Sequence, residues 1–166
     1  AFVGQDVVVH LAAYARSSGP WEAVLSANLI GTRNVFEAAR LAGVKRVVFA
    51  SSGSTLKGWE RVEPYKAIAE GRYDDAPETW RMISHESVRP NDDYGASKVW
   101  GEALGRSYSD VHGMSILCVR IGAVPSTNRP RSPREFAVFL SHRDVVDILH
   151  RCIEAPDDLL YDIFYA

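Results

Sequence analysis

Three apolar, β-branched runs, Asp6-Val-Val-Val-His-Leu-Ala-Ala13, Lys45–Ser51 and Met114–Ile121, alternate with segments whose apolar residues recur at helical spacing. Strands apolar on both sides must be buried on both faces, and strands joined through helices form parallel sheets. The first run is bounded by Gly4 and the polar Arg16-Ser-Ser-Gly19. Pro20 then suits the first turn of a helix running to about Ala42, with Gly43 as its C-cap. Strand Lys45–Ser51 completes a strand–helix–strand unit. A helix opening near Tyr94 and closing near His112-Gly113 leads into Met114–Ile121 and makes a second unit. Ser141 with Asp144 has the pattern of a capping box for a last helix to about Glu154, and Tyr161–Tyr165 is expected as a short final strand. An α/β fold follows, with a parallel sheet covered on both faces.

The 166 residues, 46% of them hydrophobic, are enough for one domain with a sizeable core. The net charge is −2 with no run of Lys or Arg, so the chain lacks the electrostatic footprint of a nucleic-acid or acidic-membrane binder. A small molecule is the expected partner. Cys118 and Cys152 are isolated and read as reduced core thiols. The five His lack ligand spacing, so no metal site is expected, and no apolar stretch approaches the ~20 residues of a membrane span. A soluble, cytoplasmic protein is expected. The chain opens on Ala1 rather than Met, with no signal peptide before the first run, and so reads as cut at its front.

The chemistry concentrates in Tyr94-Gly-Ala-Ser-Lys98. Residues at i and i+4 share a helix face, so a phenol and an ammonium can point into one site. A phenol loses its proton near pH ~10, and a cation beside it favours the phenolate. Such a pair suits proton abstraction from an alcohol, although the spacing alone is also met in solvated surface pairs. The preceding Arg89-Pro-Asn-Asp-Asp93 reads as a loop and N-cap, and Val99, Trp100, Ala103, Leu104 and Val111 follow at helical spacing. The run Arg46-Val-Val-Phe-Ala-Ser51-Ser52 ends in two hydroxyls where a parallel sheet presents groups to a ligand. Ser, Tyr and Lys together point to carbonyl/alcohol redox chemistry.

Two irregular segments interrupt the alternation. Residues 53–93 are rich in charge and carry Trp59, Tyr65, Tyr73 and Trp80; a partly helical lid near the Ser52 end of the sheet is expected. Residues 123–140, with three Pro and a cluster of Arg, could close on the same site.

The order His10-Leu-Ala-Ala13, Asn28-Leu-Ile-Gly-Thr32, Val48-Phe-Ala-Ser-Ser52, Tyr94-Gly-Ala-Ser-Lys98 and Arg120-Ile-Gly122 resembles the extended short-chain dehydrogenase/reductases, the NAD-dependent epimerase/dehydratase proteins, over nearly the whole chain. Ala50-Ser-Ser52, Arg120-Ile-Gly122 and Phe139-Leu-Ser-His-Arg-Asp144 look most like uronate dehydrogenases. The resemblance implies a Rossmann-like doubly wound sheet, NAD as cofactor with NADP left open, and a homodimer formed through helices Trp21–Ala42 and Tyr94–His112. It implies Tyr94 as the proton-transferring group, Lys98 holding the nicotinamide ribose, and Ser52 orienting the substrate oxygen. Asn28 would sit on the helix behind the site, Ala12-Ala13 would run beneath the cofactor, and the backbone around Ile121 would contact it. A uronate substrate needs a guanidinium clamp, for which Arg134 is the first choice and Arg131 the reserve. Gly53 stands where uronate dehydrogenases have Asn after the serine, removing one substrate hydrogen bond, and the lid is longer than theirs.

A Rossmann fold grips pyrophosphate with a glycine-rich turn. Here no two glycines are two or three residues apart. The chain is expected to begin at the family's fourth strand and to bind NAD weakly. Three functions are thus expected in turn: NAD-dependent oxidation of a uronate-type sugar acid, nucleotide-sugar epimerisation or dehydration, or a non-catalytic fragment that self-associates.

Overall fold

The computed structural model describes residues 1–166. Four strands, β1 (Val7–His10), β2 (Arg46–Ser52), β3 (Ser115–Ile121) and β4 (Tyr161–Tyr165), pair in that order in one all-parallel sheet. Seven of seven residues in β2 are buried, as a central parallel strand requires. The sheet is an α/β, Rossmann-like arrangement, as expected.

β1 is shorter than the expected Asp6–Ala13. Its ladder stops at His10, opposite Phe49. Beyond it the Tyr14 backbone N–H donates to Asn28 Oδ1 at 2.7 Å, and the Tyr14 carbonyl accepts from Asn28 Nδ2 at 3.2 Å. A side-chain amide thus replaces a neighbouring strand. Only His10 of β1 is buried, because the far edge has no partner.

The expected first helix is continuous but not uniform: α1 (Trp21–Val24) passes through a π-helical stretch, Leu25–Ile30, into α2 (Gly31–Leu41). Gly43 follows at φ +72°, a left-handed turn that glycine makes without strain. After the short helix α3 (Tyr65–Ala69), α4 (Asp93–His112) begins at Asp92, whose carboxylate accepts from Gly95 N at 2.7 Å. α5 (Pro133–Val138) is short, and α6 (His142–Ile153) has the expected Ser141 cap, with Ser141 Oγ accepting from Asp144 N at 3.1 Å.

Successive strand residues serve opposite faces. Val47, Phe49, Ile116 and Cys118 join Phe36, Ala39 and Tyr108 on the α2/α4 side. Val48, Leu117 and Val119 meet Cys152 of α6 on the other. Gly101 lets α4 lie directly on the sheet: a Cβ there would stand 2.4 Å from the Phe49 ring. Buried Arg46 closes the opposite end of the core, donating to the carbonyls of Cys152 and Ile153 at the end of α6 and of Ala155 and Pro156 just beyond it. Both cysteines are free and buried.

The two irregular segments converge over the C-terminal ends of β2 and β3. Residues 53–93 hold 3₁₀ turns at Gly53–Thr55, Lys57–Arg61 and Tyr73–Asp75 besides α3, so the segment is partly helical. Trp59 anchors it, donating to Ser87 O at 2.7 Å beneath the Arg89 guanidinium. The two ends of the second segment are tied to each other by a parallel bridge, Ala123 to Phe139. Between the two segments lies a cavity of about 690 Å³.

Candidate active site

On α4, Tyr94, Lys98 and Glu102 follow one another at intervals of four and so share the face turned to the end of β2. Lys98 is 3% exposed, and its Nζ donates to Ala50 O at 2.7 Å, 4.9 Å from the Phe49 ring centroid and 5.7 Å from that of Tyr94. Burial pulls its pKa down to about 8. An ammonium has three donors, so two N–H remain for a ligand.

Tyr94 departs from expectation. Burial raises the phenol's pKa; the Ser52 hydroxyl opposes the shift and Asp92 adds to it. Unassisted, the phenol holds its proton near neutrality.

Ser52 lies at the point where β2 turns into the 3₁₀ turn. Its Oγ accepts from Ser54 N at 3.1 Å and its carbonyl accepts from the buried Thr55 Oγ1 at 2.8 Å. Ser51 faces the other way and donates to Glu102 Oε1 at 2.5 Å. The geometry therefore brings Ser52, Tyr94 and Lys98 together.

Asn28 is buried by the π-helical stretch and is bonded throughout: besides the two Tyr14 contacts, its Nδ2 donates to Ser97 Oγ at 2.9 Å, and Ser97 Oγ donates to Tyr94 O at 2.7 Å. Its amide holds the segment that follows Ala12 and Ala13 and the backbone of Tyr94. Ala12 is exposed and Ala13 half-buried beyond the end of β1.

The cavity is lined by Ser52, Gly53 and Ile121 at the strand ends and by Trp59, Trp80 and Arg134 from the irregular segments. Tyr94 and Lys98 stand outside its wall, so Ser52 is the residue the two regions share. Arg134 reaches the cavity as expected, but its fork is filled: Nε donates to Glu60 Oε2 at 2.8 Å and Nη2 to Glu60 Oε1 at 2.7 Å. Arg131 pairs instead with Glu135 and does not line the cavity. A Cβ at Gly53 would meet only Ile121 O, at 3.8 Å.

Two further buried polar groups lie behind the site. Arg120 and Glu102 form a bidentate pair, Nε to Oε1 and Nη2 to Oε2 both at 2.8 Å, with side chains 0% and 5% exposed, and Arg120 Nη1 donates to Tyr165 OH at 2.8 Å. An Arg inside the apolar run of β3 is the sequence signal for it, since a buried charge demands a partner. His10 has no comparable signal: its Nε2 lies 3.1 Å from Thr32 Oγ1, and burial, aided by the charge of Lys98, pulls its pKa down to about 4. No group of three or more His, Cys, Asp or Glu is arranged to hold a metal, and no helix is long and apolar enough to cross a membrane.

Residues 1–138 match the model of the NAD dependent epimerase/dehydratase family. The chain is 36% identical to an NAD-dependent glucose-6-phosphate dehydrogenase of Haloferax volcanii, over all of this chain and 61% of that protein. It is likewise 36% identical to a uronate dehydrogenase of Agrobacterium fabrum, over 92% of this chain and 50% of that one. A crystal structure of a mutant uronate dehydrogenase from Agrobacterium tumefaciens, complexed with NAD, superimposes with a TM-score of 0.78 at 32% identity, covering 99% of this chain and 54% of that one. The chain thus spans between half and two thirds of the length of these relatives. With its parallel sheet and its matched sequence, it belongs to the NAD-dependent epimerase/dehydratase family.

Proposed function

We propose that this chain carries the catalytic half of an NAD-dependent oxidoreductase acting on a sugar acid of the uronate type. The convergence of Ser52, Tyr94 and Lys98 at the end of β2 is the observation that carries it. Ser52 orients the substrate hydroxyl, Tyr94 exchanges its proton, and Lys98 holds ribose hydroxyls with its two unspent N–H donors. NAD, when bound, supplies the hydride acceptor and a positive charge. Because the Tyr94 phenol is raised, proton abstraction improves with rising pH. In a form extended to its relatives' length, Tyr94→Phe should lower turnover by about 10²–10⁴-fold. Retained activity in that variant would overturn the mechanism.

The residues present fit the nicotinamide and ribose better than the pyrophosphate, since no closely spaced glycines offer a cradle of N–H groups. Residues 1–166 should bind NAD weakly or undetectably in calorimetry. Micromolar affinity would refute this.

A second reading is favoured by the free edge of β1. Val9 is 37% exposed and Leu11 55%, beside backbone groups without a strand partner. In that case the chain self-associates without catalysing. A monomer in sedimentation at high concentration would contradict it, and epimerisation of a nucleotide sugar by the extended form would replace the dehydrogenase with the family's other chemistry.

A further inference from the structure

Three cations line the cavity, Lys57, Arg120 and Arg134, against one acidic side chain, Glu60. Arg120 is committed to Glu102 in the buried core. Lys57 stands 3.8 Å from Asp92, the carboxylate that caps α4. Arg134 differs from both. Its partner comes from the other wall segment, and the two side chains remain 41% and 30% exposed. Glu60 already places two carboxylate oxygens on the guanidinium fork at 2.7 and 2.8 Å. A carboxylate of a bound sugar acid would ask for those same two donors.

We infer that Glu60 is an internal competitor for the carboxylate position, so that an acidic sugar binds by displacing Glu60 from Arg134 and a neutral sugar binds without doing so. This rests on the proposed uronate-type substrate and on Arg134 being the guanidinium clamp that such a substrate needs. Glu60 then sets the selectivity between acidic and neutral sugars. Its displacement also unties the lid from the segment bearing α5, since this ion pair joins Lys57–Arg61 to Pro133–Val138. An ion pair this exposed resists displacement only modestly. Glu60 therefore tunes acid binding and does not abolish it.

Residues 1–166 can be titrated with D-glucuronate and with D-glucose and followed by amide NMR, which reads millimolar binding without cofactor. Glu60→Gln and Glu60→Ala should each bind glucuronate about two- to fivefold tighter than the parent chain, with glucose affinity unchanged. Arg134→Met should weaken glucuronate binding and leave glucose unaffected. If Arg134→Met weakens glucuronate while both Glu60 variants bind it no better than the parent, the competitor role is refuted and the clamp stands. If Arg134→Met binds glucuronate as the parent does, or no form binds it at all, the clamp itself fails and the inference falls with it.

Discussion

Removing the charge of Glu102 should be the most damaging isosteric change at this site. Glu102→Gln keeps the shape of the side chain and an oxygen for Ser51, but leaves the Arg120 guanidinium, 0% exposed, without a counter-ion. Breaking a buried pair from one side costs about 3–5 kcal/mol, a large part of the ~5–15 kcal/mol that holds a domain together. Arg120→Met strands the carboxylate instead and should cost a similar amount. The double variant removes both charges. What remains is a Ser51 hydroxyl with an amide partner and a Tyr165 hydroxyl whose side of the molecule is half-exposed and can be hydrated. Its cost should be roughly 1–3 kcal/mol, the size of imperfectly satisfied polar groups. Urea unfolding read by the fluorescence of the four Trp gives all three values. The coupling between the two sites should thus reach several kcal/mol. Single costs that add to within ~0.5 kcal/mol in the double variant would refute the account, because independent sites add in that way.

Two buried bases should shape the pH dependence of stability. The pKa of His10 is depressed from 6.5 to about 4, so its contribution is present above pH 6.5 and lost as pH falls through 4. That of Lys98 is depressed from 10.5 to about 8, so its contribution is present above pH 10.5 and lost as pH falls through 8. Denaturation curves of His10→Phe should lack the acid slope, and those of Lys98→Met the alkaline one; unchanged slopes would show that these groups titrate normally. Gly53→Asn should fold with stability within ~0.5 kcal/mol of the parent, since its Cβ meets only Ile121 O at 3.8 Å. It should also tighten uronate binding in the titration above, and loss of folding would show that the turn at Gly53–Thr55 needs glycine.

The strand–helix alternation, the capped starts of α4 and α6, the Gly43 and Gly113 stops and the pairing of Tyr94 with Lys98 on one helix face were legible in the sequence. Each is local: apolar period, a capping side chain or a left-handed glycine acts over a few residues. The length of β1 was not, because its end is set by Asn28, fourteen residues beyond Tyr14. The π-helical stretch that turns Asn28 inward was hidden for the same reason.

At the site, composition and spacing determined which groups are present and which element bears each one. Tertiary structure decided what those groups can do. It drew Lys98 onto Ala50 O, raised the Tyr94 phenol by burial, gave Arg120 to Glu102 and filled the Arg134 fork with Glu60. Protonation and ion pairing depend on the dielectric and on charges brought close from distant positions, up to 74 residues away for Arg134 and Glu60. Such quantities exist only once the chain has folded.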